Sequence, residues 1–385
     1  MFEDIINQEN AVNILSNAIK NDKVAQAYIF YGPSGSGKLF TAFTFAKALN
    51  CHKRIKSTDP NYSPQNLEKI KLPCNECISC KKIDSHNHPD TKFIFPIPNY
   101  SMDENGVIKS NQEFSEIQNY IQNKITKPWT DYNFEKATAI RIDQIRSLQK
   151  DINMSSREGS KKVYIFEHFD TLTTAAANAF LKTLEEPPVN THFIMTVNSI
   201  SNLLPTIISR CQKVEFFSVS AEIIEKYLIN VLFIEPLKAR LFSRLSNGNF
   251  KKAIGLSNDE NLETMNITIE FLQIVLSNDD YEYILWLEKY FGKNNKNSNL
   301  FKDFIEYLNL WISDLQLFNL CHDKLVFINQ INLIGHFYSK NPLILENLPS
   351  LHLKLNEYLI KFQGNVNIKL ILNQTYNSFK KLLMQ

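Results

Sequence analysis

The chain has 385 residues, 44 % of them hydrophobic and 21 % charged, and its 42 basic and 40 acidic side chains leave a formal net charge of +2. That length supports two or three domains with real cores, and a nearly neutral balance argues against a protein that grips DNA alone through a broad basic face. No apolar run approaches the ~18 residues that a bilayer span needs.

The opening Met1-Phe2-Glu3-Asp4-Ile5-Ile6 carries early acids and no basic stretch, so it does not read as a signal peptide. The expected compartment is the reducing cytoplasm, where six cysteines are thiols or metal ligands rather than disulfides. A helical stretch near Ala11 to Ile19 precedes the apolar run Ala27-Tyr28-Ile29-Phe30-Tyr31, a buried strand. Next comes Gly32-Pro33-Ser34-Gly35-Ser36-Gly37-Lys38, and then a helix from about Lys38 to Leu49. A glycine-rich turn between strand and helix is the setting of a phosphate-binding loop. Its backbone N–H groups converge on phosphate oxygens, the helix start adds positive potential, and Lys38 adds a full charge.

A working loop of this kind follows its lysine with Ser or Thr, whose hydroxyl binds Mg²⁺. Here the residue is Leu39, which has no oxygen, and Thr41 is expected to point away around the helix. Phosphate can still bind, but metal positioning should suffer.

Cys51, Cys74, Cys77 and Cys80 come next. Two successive three-residue steps plus one distant cysteine make four soft ligands, suited to a closed tetrahedral Zn²⁺ site of structural type. An iron–sulfur cluster would also use four cysteines, but nothing else in the chain suggests redox work. His52, His86 and His88 lie nearby as alternative ligands, although the cysteine set is already complete.

Residues 95–138 break the alternation of strand and helix. Pro96, Pro98, Asn99 and Gly106 mark an irregular insertion, with a helix over Phe114 to Ile125. The helix Ile142 to Ile152, the strand Val163 to Phe166, the helix Ala175 to Leu184 and the strand Phe193 to Val197 restore the rhythm of a parallel sheet. Hydrolytic proteins of this type end the strand corresponding to Val163 to Phe166 with an Asp for the metal and a Glu that activates water. This chain has Glu167-His168-Phe169-Asp170. Glu167 is longer and looser than Asp, and His168 is a poor substitute for the activating carboxylate. Loss of a positioned base costs ~10²–10⁴ in rate.

Ser209-Arg210-Cys211 follows a short helical turn at the end of this region. After about Ser218 the pattern is helix upon helix. Phe301, Phe304, Leu308, Trp311, Leu315 and Phe318 alternate steps of three and four, and Ile368, Leu372, Tyr376, Phe379 and Leu383 near the end are likewise spaced by threes and fours. Such stripes read as helix–helix core.

Taken in this order, the loop Gly32 to Lys38, the cysteine module, Lys161-Lys162-Val163-Tyr164-Ile165-Phe166, the run Asn178 to Pro188 ending in Leu-Glu-Glu-Pro-Pro, and Ser209-Arg210-Cys211 resemble the clamp-loader branch of the AAA+ ATPases of bacterial DNA polymerase III. The resemblance covers roughly the first 215 residues apart from the insertion. It implies an α/β fold: a P-loop NTPase-type parallel sheet domain over 1–217 with a zinc module at 51–80, a helical lid over 218–258 and an all-α collar over 259–385. It also implies assembly with gamma/tau-type and delta-type subunits, and action on a sliding clamp and on primer-template DNA through the assembly. ATP is the ligand implied for the loop, whose contacts would come from Gly32, Pro33, Ser34, Gly35, Ser36, Gly37, Lys38 and Leu39, with Glu167 and Lys251.

Within the family the arginine of Ser-Arg-Cys is offered to the neighbouring subunit's ATP, and Arg210 matches it. The second sensor is normally an Arg in Gly-x-x-Arg. Gly248-Asn249-Phe250-Lys251 places Lys251 there, keeping the charge but losing the bidentate fork. Departures at Leu39, Glu167, His168 and Lys251 resemble the delta-prime branch more than the ATP-hydrolysing gamma/tau branch. An active gamma/tau-type ATPase and a zinc-containing DNA-binding protein that reuses the fold are the alternatives.

Overall fold

The structure, a computed structural model, describes residues 2–54, 71–100, 108–126, 134, 138–158, 161–257, 262–292, 298–322, 325–341, 344–363 and 367–384. The chain divides into two compact units, Met1–Ile224 with Gly248–Lys252, and Glu225–Asn247 with Ala253–Gln385. No helix of the described residues is long and apolar enough to cross a membrane.

The first unit is built on five parallel strands in the order β2-β3-β4-β1-β5. They are β1 (Ala27–Tyr31), β2 (Thr91–Ile94), β3 (Lys162–Phe166), β4 (Thr191–Val197) and β5 (Gln212–Glu215). Helices α1 (Glu9–Lys20), α2 (Lys38–Asn50), α3 (Ile78–Asp84), α4 (Asn111–Thr126), α5 (Ile142–Ile152), α6 (Thr174–Glu185) and α7 (Pro205–Ile208) connect them.

Successive residues of a strand face opposite ways, and both faces of this sheet are covered. Tyr28, Phe30, Val163, Ile165, Ile194 and Val214 pack with Leu15 and Ile19 of α1 and with Phe45 and Leu49 of α2. Ile29, Tyr164, Phe166, Phe193, Met195 and Val197 pack with Ile145 and Leu148 of α5 and with Phe180 and Leu184 of α6. Two-sided burial explains why β1, β3 and β4 read as continuous apolar runs.

The short strands β2 and β5 were not expected from the sequence. β5 is an edge strand whose only buried side chain is Val214, so Gln-Lys-Val-Glu shows no apolar run. β2 has four residues, two of them apolar, and is recognised only by pairing Thr91 to Ile94 against Val163 to Phe166.

Within the insertion α4 does form, and its Tyr120 joins Phe95 and Ile97 in a small core against Ile117, Ile121 and Phe134. Gly106, like 101–107, 127–133 and 135–137, lies outside the described residues, as do 55–70 of the cysteine module and the expected boundary at 258–259.

The described residues of the second unit are helical: α8 (Ala221–Asn230), from Glu225 on, α9 (Pro236–Leu245), α10 (Phe250–Ser257), from Ala253 on, α11 (Leu262–Ser277), α12 (Asp280–Phe291), α13 (Ser298–Leu317), α14 (Ile331–Lys340), α15 (Ile344–Gln363) and α16 (Ile368–Met384). Its core is aromatic. Phe271, Trp286, Phe304 and Phe379 cluster, and Tyr283 stacks on Tyr376 at 3.9 Å. The stripe Phe301, Phe304, Leu308, Trp311 and Leu315 is fully buried on α13, whereas Phe318 lies past its end and stacks on Tyr338. On α16, Leu372, Tyr376 and Phe379 are buried.

Candidate functional site

The strand–glycine loop–helix unit is present as β1, residues 32–37 and α2. Gly37 has φ +89° and open space where a Cβ would stand, so the turn into α2 is left-handed and unobstructed. Gly35, at φ +72°, is needed for another reason: a Cβ there would lie 1.7 Å from the side chain of Asn249. The segment 248–250 thus lies directly on the loop, with Phe250 N–H donating to Gly35 O at 3.1 Å. Asn249 Oδ1 accepts from Lys252 N–H at 2.9 Å. Lys251 sits half-buried in the first turn of α10.

Gln8 secures the other side of the loop. Its Nε2 donates to Ser36 O at 3.2 Å and to Phe217 O at 2.7 Å, while its Oε1 accepts from Phe217 N–H at 3.0 Å. Lys38 is buried, and its ammonium donates to the loop's own carbonyls, Gly32 O and Pro33 O, each at 2.6 Å. Burial pulls its pKa down to about 8, opposed by the charge of Asp170. The loop offers a helix N-terminus and an ammonium, the groups a phosphate needs.

A divalent metal is served poorly. Leu39 packs against the core beneath the loop. Thr41 is fully buried, and its hydroxyl has no hydrogen-bond partner among the described residues. At the end of β3, Glu167 is buried and both its oxygens are engaged, Oε2 by Tyr120 Oη at 2.5 Å and Oε1 by Lys124 Nζ at 2.6 Å. His168 has φ +50° and an exposed ring, with Nε2 4.0 Å from Glu167 Oε1. On β4, Thr196 Oγ1 donates to Phe166 O at 3.0 Å, joining β4 to β3.

The four cysteines come together as the spacing implies. The Sγ atoms of Cys51, Cys74, Cys77 and Cys80 all lie within 4.8 Å of one another, close to the ~3.8 Å edge of a tetrahedron with ~2.3 Å Zn–S bonds. A cluster of several irons would hold its ligands farther apart. A hydrogen bond from Cys80 holds the Cys51 thiol down at about 5, and the same contact pushes Cys80 up. Cys51 caps α2 and Cys77 caps α3, so the cluster joins the two helices. Lys47 reinforces the join by binding Asn75 Oδ1 at 3.0 Å and Asp84 at 2.9 Å. The histidines serve elsewhere: His86 packs on Phe43 and Phe93, and His88 Nε2 pairs with Ser79 Oγ at 3.1 Å. Burial lowers the pKa of both.

Arg210 follows α7 and is about one-third exposed. It donates to Thr206 O at 2.9 Å and pairs with Glu185 Oε1 at 3.0 Å, at the end of α6. Sequence reasoning did not find Gln8, Tyr120, Lys124, Glu185 or Asn249. Of these, Glu185 and Asn249 stood in motifs already singled out, the run Asn178 to Pro188 and Gly248-Asn249-Phe250-Lys251.

The chain is similar to several known proteins. The chain is 28 % identical over 323 residues to the DNA polymerase III subunit delta' of Bacillus subtilis, covering 83 % of this chain and 80 % of that one. It is 28 % identical over 260 residues to the tau subunit of the same organism, covering 66 % of this chain but 37 % of tau. Among solved structures it is similar to a DNA polymerase III gamma subunit-related protein of Thermotoga maritima, with 16 % identity, a TM-score of 0.42 and coverage of 97 % and 100 %. Residues 7–220, more than half of the sequence, match the model of the family described as DNA polymerase III, delta subunit, and the chain belongs to that family.

Proposed function

We propose that the chain is a delta-prime-like subunit of the DNA polymerase III clamp loader. It helps place a sliding clamp on primer-template DNA, leaves ATP hydrolysis to gamma/tau-type neighbours, and offers Arg210 to a neighbour's ATP. The observation that carries this reading is a guanidinium reaching solvent after α7 in a chain whose own loop lysine is followed by Leu39. The pair Arg210–Glu185 is exposed, and such pairs are worth ~0–1 kcal/mol. The guanidinium can therefore exchange Glu185 for a phosphate oxygen at little cost.

In this reading residues 1–217 form the AAA+-type domain, 218–258 the lid and 259–385 the collar that joins gamma/tau-type and delta-type subunits. The cysteine cluster holds structural Zn²⁺ in the module 51–80. ATP, where bound, meets the loop Gly32 to Lys38 and the segment bearing Lys251. The assembly works in the cytoplasm.

The test is Arg210→Ala in a reconstituted loader. A finger in trans is worth ~10³–10⁵ in phosphoryl transfer, so turnover at the neighbouring site should collapse while the subunits still co-elute. Arg210→Lys should restore little of it, because an ammonium lacks the planar fork. An unchanged rate in an intact assembly would show the assignment to be wrong.

A further inference from the structure

The acid at the end of β3 is already supplied with a cation by the chain itself. Tyr120 and Lys124 stand one turn apart on α4 and meet the two oxygens of Glu167 at 2.5 and 2.6 Å. The ion pair is sealed, with the Lys124 side chain 9 % exposed and that of Glu167 8 % exposed. Its geometry is fixed from behind. The Tyr120 ring stacks on Phe95 at 4.3 Å and on Phe134 at 5.3 Å, and the Lys124 ammonium lies 5.3 Å from the centre of that ring. A Mg²⁺ ion demands a near-octahedral shell of oxygens. Position 39 offers none, and both oxygens of Glu167 face an ammonium and a phenol. A divalent ion beside that ammonium would meet like charge in a buried setting. Neither position 39 nor Glu167 therefore offers Mg²⁺ a free oxygen.

We propose that α4 is an internal counter-cation for Glu167, with Lys124 standing where a divalent metal would otherwise balance the acid. Any phosphate held by the glycine loop is then held without Mg²⁺. The insertion becomes a working part of the site rather than an appendage. The inference deepens the reading of a chain that does not hydrolyse ATP, but its test reads the stability of the chain alone. Its failure is thus distinct from a failure of Arg210 in the assembled loader.

The experiment is thermal unfolding of the full chain with and without millimolar Mg²⁺. Wild-type Tm should not respond to the ion. Lys124→Ala strands a buried carboxylate and should lower Tm by roughly 6–12 °C. Mg²⁺ should recover part of that loss. Adding Glu167→Gln should abolish the recovery and relieve much of the loss itself. If Lys124→Ala does not fold, Lys124→Gln, which keeps a hydrogen-bond donor, carries the same comparison. A Mg²⁺-dependent rise in the wild type that Glu167→Gln removes would overturn the proposal. So would wild-type stability in Lys124→Ala, or a destabilised variant indifferent to Mg²⁺, since the pair would then be an ordinary structural bridge.

Discussion

Serine at position 77 would differ from cysteine by one atom, yet its hydroxyl keeps its proton at neutral pH and binds Zn²⁺ far more weakly than a thiolate. Because the four sulfurs lie within 4.8 Å of one another, losing one leaves a three-ligand site open to water. Cys77→Ser should therefore lower zinc content, measured by atomic emission on the purified chain, from about one ion per chain to well under half. The module would not come apart altogether, because Lys47 still joins Asn75 to Asp84. The loss should appear as a Tm lower by roughly 6 °C or more. A chain with full zinc content after the substitution would show that the cysteines are merely buried neighbours. Arg210 illustrates the opposite kind of residue, one whose removal should hardly touch stability because its bonds are exposed.

Asp314 on α13 is fully buried and accepts from Val326 N–H at 2.9 Å and Phe327 N–H at 2.6 Å, tying the segment after α13 back to its helix. Burial raises its pKa from 3.8 to about 6, against the lowering effect of those two bonds and of Arg244. The sign is that of a carboxyl group whose proton is held more tightly in the folded chain. Between about pH 4 and 6 the native state binds a proton that the unfolded state has released, so stability falls as pH rises through that window and then levels off. The span is roughly 2–3 kcal/mol. Denaturant titrations at several pH values should show this slope in the wild type and lose it in Asp314→Asn, which keeps an acceptor for one of the two N–H groups. His192 contributes the opposite trend, since burial takes it down to about 4, and the difference between wild type and variant cancels it. If the two curves run parallel, the carboxyl does not titrate in that range.

β1, β3, β4, the loop and α5 were legible because their signals are local: apolar runs of buried strands, glycines between strand and helix, and a 3.6-residue period. The cysteine cluster was legible because three of its ligands lie within seven residues. The contacts at Glu167 were not, since Tyr120 and Lys124 stand 47 and 43 positions away on a helix that carries no motif. Gln8 is 209 positions from the Phe217 backbone that it bridges, and neither residue looks unusual beside its neighbours. Burial and charge pairing across such distances are settled by the fold.

Across the whole molecule, three features bear on one reaction. In the proposed reading, Leu39 leaves out a metal ligand, His168 takes the place of a water-activating carboxylate, and α4 commits Glu167 to Lys124 and Tyr120. Loss of a positioned base alone costs ~10²–10⁴ in rate, and a site without its metal also loses the charge neutralisation on which phosphoryl transfer depends. The purified chain with ATP and Mg²⁺ should therefore turn over far below ~1 s⁻¹, while the assembled loader does not. The three effects are not interchangeable, and this separates them. Leu39→Thr with His168→Glu supplies the missing hydroxyl and carboxylate but leaves the Lys124–Glu167 bridge in place, so the isolated double variant should remain as slow as the wild type in a phosphate-release assay. Turnover near ~1 s⁻¹ by the unmodified chain would assign it to the hydrolysing gamma/tau type. A gain of that size in the double variant alone would show that the bridge at Glu167 is no barrier to the metal.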